Sequence, residues 1–89
     1  MAAGVEKVKE QIAKDFGAVE ITSAHDPNIQ ETVLFFLEAR RPFNVNVTRE
    51  FDDDYASGQI KVDLSVLGKI LRNSTEGKAK VTRQGIISN

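Results

Sequence analysis

Between Val19 and Thr48 the hydrophobic period changes twice, and this stretch constrains the fold more than any other. Val19, Ile21 and Ser23 alternate with Glu20 and Thr22, the period-two pattern of a strand with one buried face. Asp26-Pro27 then reads as a helix start: the carboxylate can cap free backbone N–H groups, and proline fits the first helical position because it lacks a donor. Ile29, Val33, Phe36 and Leu37 follow at i, i+4, i+7 and i+8, with Leu34 and Phe35 widening the stripe, so the spacing predicts a helix to about Arg40 that must be covered on more than one side. Arg40, Arg41 and Pro42 supply a helix stop. Phe43, Val45 and Val47 alternate with Asn44, Asn46 and Thr48, so the chain leaves as a half-buried strand.

The flanking segments read as additions to this unit. Val5, Val8, Ile12 and Phe16 recur at i, i+3, i+7 and i+11 among charged residues, predicting an amphipathic helix over residues 3–16 that ends at Gly17. Mixed charge on its polar side favours packing on its own domain over a membrane surface. Phe51 to Ser57, with Asp52, Asp53 and Asp54 in a row, reads as a solvated loop; the alternating ligands and glycine of a calcium loop are missing. Ile60, Val62 and Leu64 predict a third strand. Ser65 opens a further helix with Val66, Leu67, Ile70 and Leu71 on its apolar face and ends at the turn Asn73 to Gly77. Lys78 to Gln84 alternates as a fourth strand, Ala79 and Val81 inward, Lys80 and Thr82 outward, and the tail from Gly85 is short enough to pair or fray.

An 89-residue chain of this kind is a single domain. It has no cysteine and one histidine, so neither disulfides nor a metal centre are expected, and no cofactor motif is present. Twelve basic against 13 acidic residues, net charge −1, give no electrostatic footprint for nucleic acid. Without an apolar run near 18 residues or a signal-like start, the sequence predicts a cytoplasmic protein that does not bind membranes. It does not specify an oligomeric state. No nucleophile stands in a recognisable pattern with a base, so an enzyme is not expected.

The predicted order is helix, strand, helix, strand, strand, helix, strand, an α+β domain with a four-stranded antiparallel sheet covered on one face by three helices. Two topologies fit this order, one of them ferredoxin-like. Val19 to Ser23, Phe35-Phe36-Leu37-Glu38-Ala39-Arg40, Phe43 to Thr48, Val62-Asp63-Leu64-Ser65-Val66-Leu67-Gly68 and Lys78 to Gly85 resemble successive pieces of the bacterial histidine-containing phosphocarrier protein (HPr) family, over about residues 18–85, and that resemblance implies the other topology. The resemblance implies that residues 3–16 occupy the place of the HPr C-terminal helix, on the same sheet face as the other two. It also implies a lost active site. Asn28 stands where HPr has its phosphorylated histidine, Gln30 where it has an arginine and Glu31 where it has a proline, so the helix N-terminus cannot carry a phosphoryl group.

Two functional readings follow. The first is a non-catalytic binding or regulatory module for an unidentified protein partner, contacting it through Ser65, Val66, Leu67, Lys69, Ile70 and Arg72. Ser65, where HPr has a regulatory serine, either caps its helix or takes a phosphoryl group at the positive end of the helix dipole. The second is a phosphoryl carrier of a sugar phosphotransferase system using His25, which requires a cation from a distant segment, Arg83 or Lys61.

Overall fold

A computed structural model describes residues 3–17, 19–59 and 62–88, without the side chains of Ala3 and Ser88. The chain runs α1 (Ala3–Phe16), β1 (Ile21–Asp26), β2 (Glu31–Glu38), β3 (Arg41–Thr48), α2 (Arg49–Ala56), a 3₁₀ turn (Leu64–Val66), α3 (Leu67–Asn73), β4 (Lys78–Thr82) and β5 (Gly85–Ser88). The five strands form one mixed sheet in sequence order, antiparallel throughout except where β3 meets β4. A parallel neighbour needs a crossover, which the segment from α2 to α3 provides.

Register assigns every side chain to a face. Leu34 and Phe36 on β2, Phe43, Val45 and Val47 on β3, and Ala79 and Val81 on β4 stand opposite one another across the sheet, and all are buried. Against them lie Val5, Val8, Ile12 and Phe16 of α1, Phe51 of α2, and Leu67 and Leu71 of α3, in one apolar core. Phe16 sits over both sheet aromatics, 5.0 Å from the Phe36 centroid and 5.2 Å from that of Phe43. Each large side chain enclosed there contributes about 1.5–3 kcal/mol relative to exposure. The amphipathic reading of residues 3–16 thus holds, and Gly17 ends α1 at φ +82°.

The α+β class is as expected; the element order and strand count are corrected, and with them both the HPr-like and the ferredoxin-like arrangement of four antiparallel strands. The predicted helix over residues 26–40 is a turn and a strand. Asp26 does cap a backbone N–H, that of Asn28 at 3.0 Å, but in a tight turn that reaches Gln30 at φ 52°. From Glu31 the run Thr32-Val33-Leu34-Phe35-Phe36-Leu37 pairs on both sides, with β1 and β3. A short unbroken apolar run satisfies helical spacing and strand spacing alike. Here β-branched and aromatic residues and two antiparallel neighbours make it a strand.

The acidic segment after Thr48 is a helix rather than a loop. The Thr48 hydroxyl accepts the Phe51 N–H at 3.2 Å as an N-cap, acidic residues occupy the first turn, and Phe51 and Tyr55 face inward one turn apart. Of the expected third strand, Ile60 and Lys61 lie outside the described residues, and the described part is not a strand: Val62 and Leu64 reach the core rim from an irregular segment and the 3₁₀ turn. Finally, the tail pairs as β5.

The β2–β3 hairpin closes through Ala39 and Arg40, both left-handed at φ 51° and 68°. Two-residue hairpins favour that form, but side chains with a Cβ resist it by roughly 1–2 kcal/mol per residue. Replacing the pair by Asn-Gly is expected to raise the unfolding free energy by about 1 kcal/mol in urea titrations. In a helix the same exchange would lower it by about that much.

Candidate functional site

The helices all pack on one side of the sheet, which leaves the outward residues of the strands as the surface to examine. Thr22 and Ala24 of β1, Glu31, Val33, Phe35 and Leu37 of β2, Asn44 and Asn46 of β3, Lys78 and Lys80 of β4 and Ile87 of β5 share this open face by register. Its apolar part is a ridge along β2. Phe35, 39% exposed, stands between Thr22 and Asn44, and Leu37, 54% exposed, stands opposite Pro42. Beside the ridge a shallow concavity of about 360 Å³ is lined by Glu20, Thr22, Phe35 and Leu37.

At the other end of the same face is a polar cluster. Glu31 is 8% exposed; its carboxylate accepts Asn46 Nδ2 at 3.1 Å and meets Lys80 Nζ at 2.8 Å. Burial by itself pushes the Glu31 carboxyl up, but the hydrogen bonds from Lys80 and Asn46, with the lysine charge, outweigh it and hold the group below its ordinary value. Glu31, Lys80, Ile29 and Arg83 border a cleft of about 390 Å³. Arg83 is itself held by both carboxylate oxygens of Asp54, at 3.0 and 2.8 Å. The cleft thus holds two ion pairs: Glu31–Lys80 fastens β2 to β4 across β3, and Arg83–Asp54 ties the turn after β4 to α2.

The positions equated with a lost phosphoryl site are not brought together. Asn28 is exposed in the turn, Gln30 accepts Arg49 Nη1 at 2.7 Å, and Glu31 faces the opposite side with Lys80. His25 lies on the inward-facing register of β1 yet is exposed. Its Nδ1 is 3.4 Å from the Thr32 hydroxyl, a long contact in water. His25 shares a cleft of about 410 Å³ with Gln30, Arg49, Asp52 and Asp53. The Asp52 carboxylate accepts the Gly4 and Val5 N–H groups at the start of α1, at 2.7 and 3.1 Å, and Asp53 pairs with Arg49 at 3.6 Å.

The predicted partner surface around α3 is divided. Leu67 is fully buried and Ile70 packs on the core, while Val66 is 40% exposed and Lys69 points to solvent. Arg72 donates to the Asp15 carbonyl at 2.9 Å, pairs with Glu38 at 3.5 Å and lies 4.5 Å from the Phe16 ring centroid. Ser65 lies inside the 3₁₀ turn, and the cap is Asp63, which accepts the Ser65 hydroxyl at 2.6 Å and its backbone N–H at 3.0 Å. Those two hydrogen bonds, the hydroxyl's first, hold the Asp63 carboxyl below its ordinary value.

Sequence reading missed Phe35 and Leu37 as surface residues, because a helix assignment put both in the core. The outward direction of Asn44, Asn46 and Lys80 was legible from alternation; their convergence on Glu31 required the strand order. Among the described residues no group of three or more His, Cys, Asp or Glu could hold a metal ion, and no helix is long and apolar enough to cross a membrane. Comparison with protein-family models, with characterised proteins and with solved structures found no match.

The Glu31 carboxyl has a lowered value, so its contribution to stability is complete above the ordinary glutamate range near 4.3 and is lost as pH falls through the lowered value. Glu31→Gln is expected to cost about 1–2 kcal/mol at pH 7, measured by urea unfolding. The deficit should shrink towards zero as pH falls through the lowered value.

Proposed function

We propose that this chain is a non-catalytic protein-binding module whose contact surface is the β1–β2 side of the sheet, made of the free edge of β1 and the Phe35–Leu37 ridge. One observation carries this: two large apolar side chains, 39% and 54% exposed, stand side by side on the sheet face that the described helices leave open. Apolar side chains grouped on a uniform surface are the ordinary mark of a contact site. The divided surface around α3 supports a smaller role. Ser65 is exposed and its hydroxyl already faces a carboxylate, so a phosphoryl group there would repel Asp63 and loosen the turn before α3, a regulatory change on the opposite layer.

The rival is a phosphoryl carrier acting through His25, and one feature favours it: Arg49 lines the same cleft. That arginine is engaged by Gln30 and Asp53, and the two aspartates in the cleft oppose a second anion. Of the cations the sequence offered, Arg83 is held by Asp54, and Lys61 lies outside the described residues.

Incubation with phosphoenolpyruvate and the general phosphotransferase enzyme is expected to leave the chain unmodified; an acid-labile phosphate that disappears in His25→Ala would establish the carrier instead. The surface itself is tested by unfolding. Phe35→Asp should change stability by less than about 1 kcal/mol, whereas the adjacent Phe36→Asp should abolish cooperative folding, because it places a charge in the core. Comparable losses for the two would remove the ridge from the surface.

A further inference from the structure

We propose that the occupant of the β1 edge is a second copy of this chain, joined by antiparallel β1–β1 pairing about a two-fold axis into one ten-stranded sheet. The proposal rests on the reading of the β1–β2 side as the contact surface and names what binds there.

Among the described residues β1 is the terminal strand of the sheet and pairs only with β2, so alternate N–H and C=O groups along its outer side have no described strand beside them. Edges are normally blocked by lysine, proline, a bulge or an overhanging element. Ile21-Thr22-Ser23-Ala24-His25-Asp26 contains no lysine, arginine or proline, its register with β2 is unbroken, and its four central residues are exposed whichever face they point to. The opposite edge, β5, spans only four residues.

Symmetry restricts the pairing. A two-fold axis perpendicular to a continuous sheet keeps each side chain on its own face, so residues facing each other across the axis must share the same side of the strand. The axis therefore passes beside a residue rather than between two. With Ser23 on the axis, Asp26 would oppose Glu20 of the second copy on the open face, twice, and like charges directly opposite are destabilising. With Ala24 on the axis, Thr22 opposes Asp26 and Ser23 opposes His25, each a donor–acceptor match, and no acid meets an acid within the strand. These two registers each pair five of the six β1 residues, more than an axis at Thr22 or His25 would, and of the two only the one centred on Ala24 avoids acid against acid. It also continues the apolar surface, because Ala24 is the cross-strand neighbour of Val33, and the row Val33–Ala24 of one copy meets Ala24–Val33 of the other.

A six-residue edge is about 20 Å long and places the interface at the small end of specific contacts, so the dimer is expected to be weak, with a dissociation constant in roughly the micromolar range. Sedimentation equilibrium on the whole chain should show a concentration-dependent monomer–dimer equilibrium. Ala24→Lys places two lysines against each other at an exposed position and should weaken the dimer at least about tenfold while the monomer stays folded by circular dichroism. The sequence has no cysteine, so Ala24→Cys reports one position alone. Under mild oxidation it should form an intermolecular disulfide much faster than the exposed control Thr75→Cys or than Ser23→Cys. A chain that remains monomeric to about 1 mM, an Ala24→Lys dimer as tight as the parent, or cross-linking at 23 in preference to 24 would each overturn the proposal. None of these results bears on phosphorylation of His25 or on the exposure of Phe35, which test the binding-module reading separately.

Discussion

The two-sided pairing of β2 is the constraint on which the rest of this structure depends. Because Glu31–Glu38 is bonded to β1 on one side and β3 on the other, its alternation is fixed: Leu34 and Phe36 enter the core, and Val33, Phe35 and Leu37 cannot. The stacked contact of Phe36 with Phe43, 5.2 Å between centroids, and the Phe16 ring resting on both then anchor α1 to the centre of the sheet. A register slip of one residue in β2 would turn Leu34 and Phe36 to the open face and break the contact among Phe16, Phe36 and Phe43 that seats α1. In a domain of this size the margin between folded and unfolded states is only about 5–15 kcal/mol, so that slip would not be tolerated.

From the same constraint comes the asymmetry of the surface. One sheet face is occupied by three helices held to one another by long-range polar contacts, Asp52 to the start of α1 and Arg72 to the end of it. The other carries an apolar ridge at one end and the Glu31–Lys80–Asn46 cluster at the other. In that cluster both Glu31 oxygens are engaged within the chain, one by Lys80 and one by Asn46. The ridge has no such partner among the described residues: Phe35 and Leu37 stay exposed beside the β1 edge.

Elements whose pattern admits only one period were legible before folding was considered. Residues 3–16 and the strand around Phe43 to Thr48 show a single periodicity, and both occur; the alternation read over Lys78 to Gln84 likewise gives β4, which stops at Thr82 before a turn. The stretch from Asp26 to Arg40 misleads for a physical reason. Val33 to Leu37 is apolar at every position, so it matches both periods, and the Asp-Pro that suggests a helix cap makes a turn equally well. The aspartate run after Phe51 misleads because composition hides its purpose: Asp52 caps a helix far away in sequence and Asp54 binds Arg83, contacts that exist only once α2 lies beside α1 and β4. The candidate site suffers in the same way. Ser65, Val66 and Lys69 are exposed as the sequence suggests, but which apolar residues face outward on β2 follows from strand pairing alone.

The most direct test of β2 as a central strand is a nuclear Overhauser and chemical-shift analysis of residues 26–40 in the intact chain. The expected result is strand-type Cα shifts over Glu31–Glu38, strong sequential Hα–HN contacts, and cross-strand contacts joining Leu34 to Val45 and Val33 to Ala24. Helical shifts with continuous HN–HN contacts from Pro27 to Arg40, and Phe35 showing core contacts to α1, would contradict it.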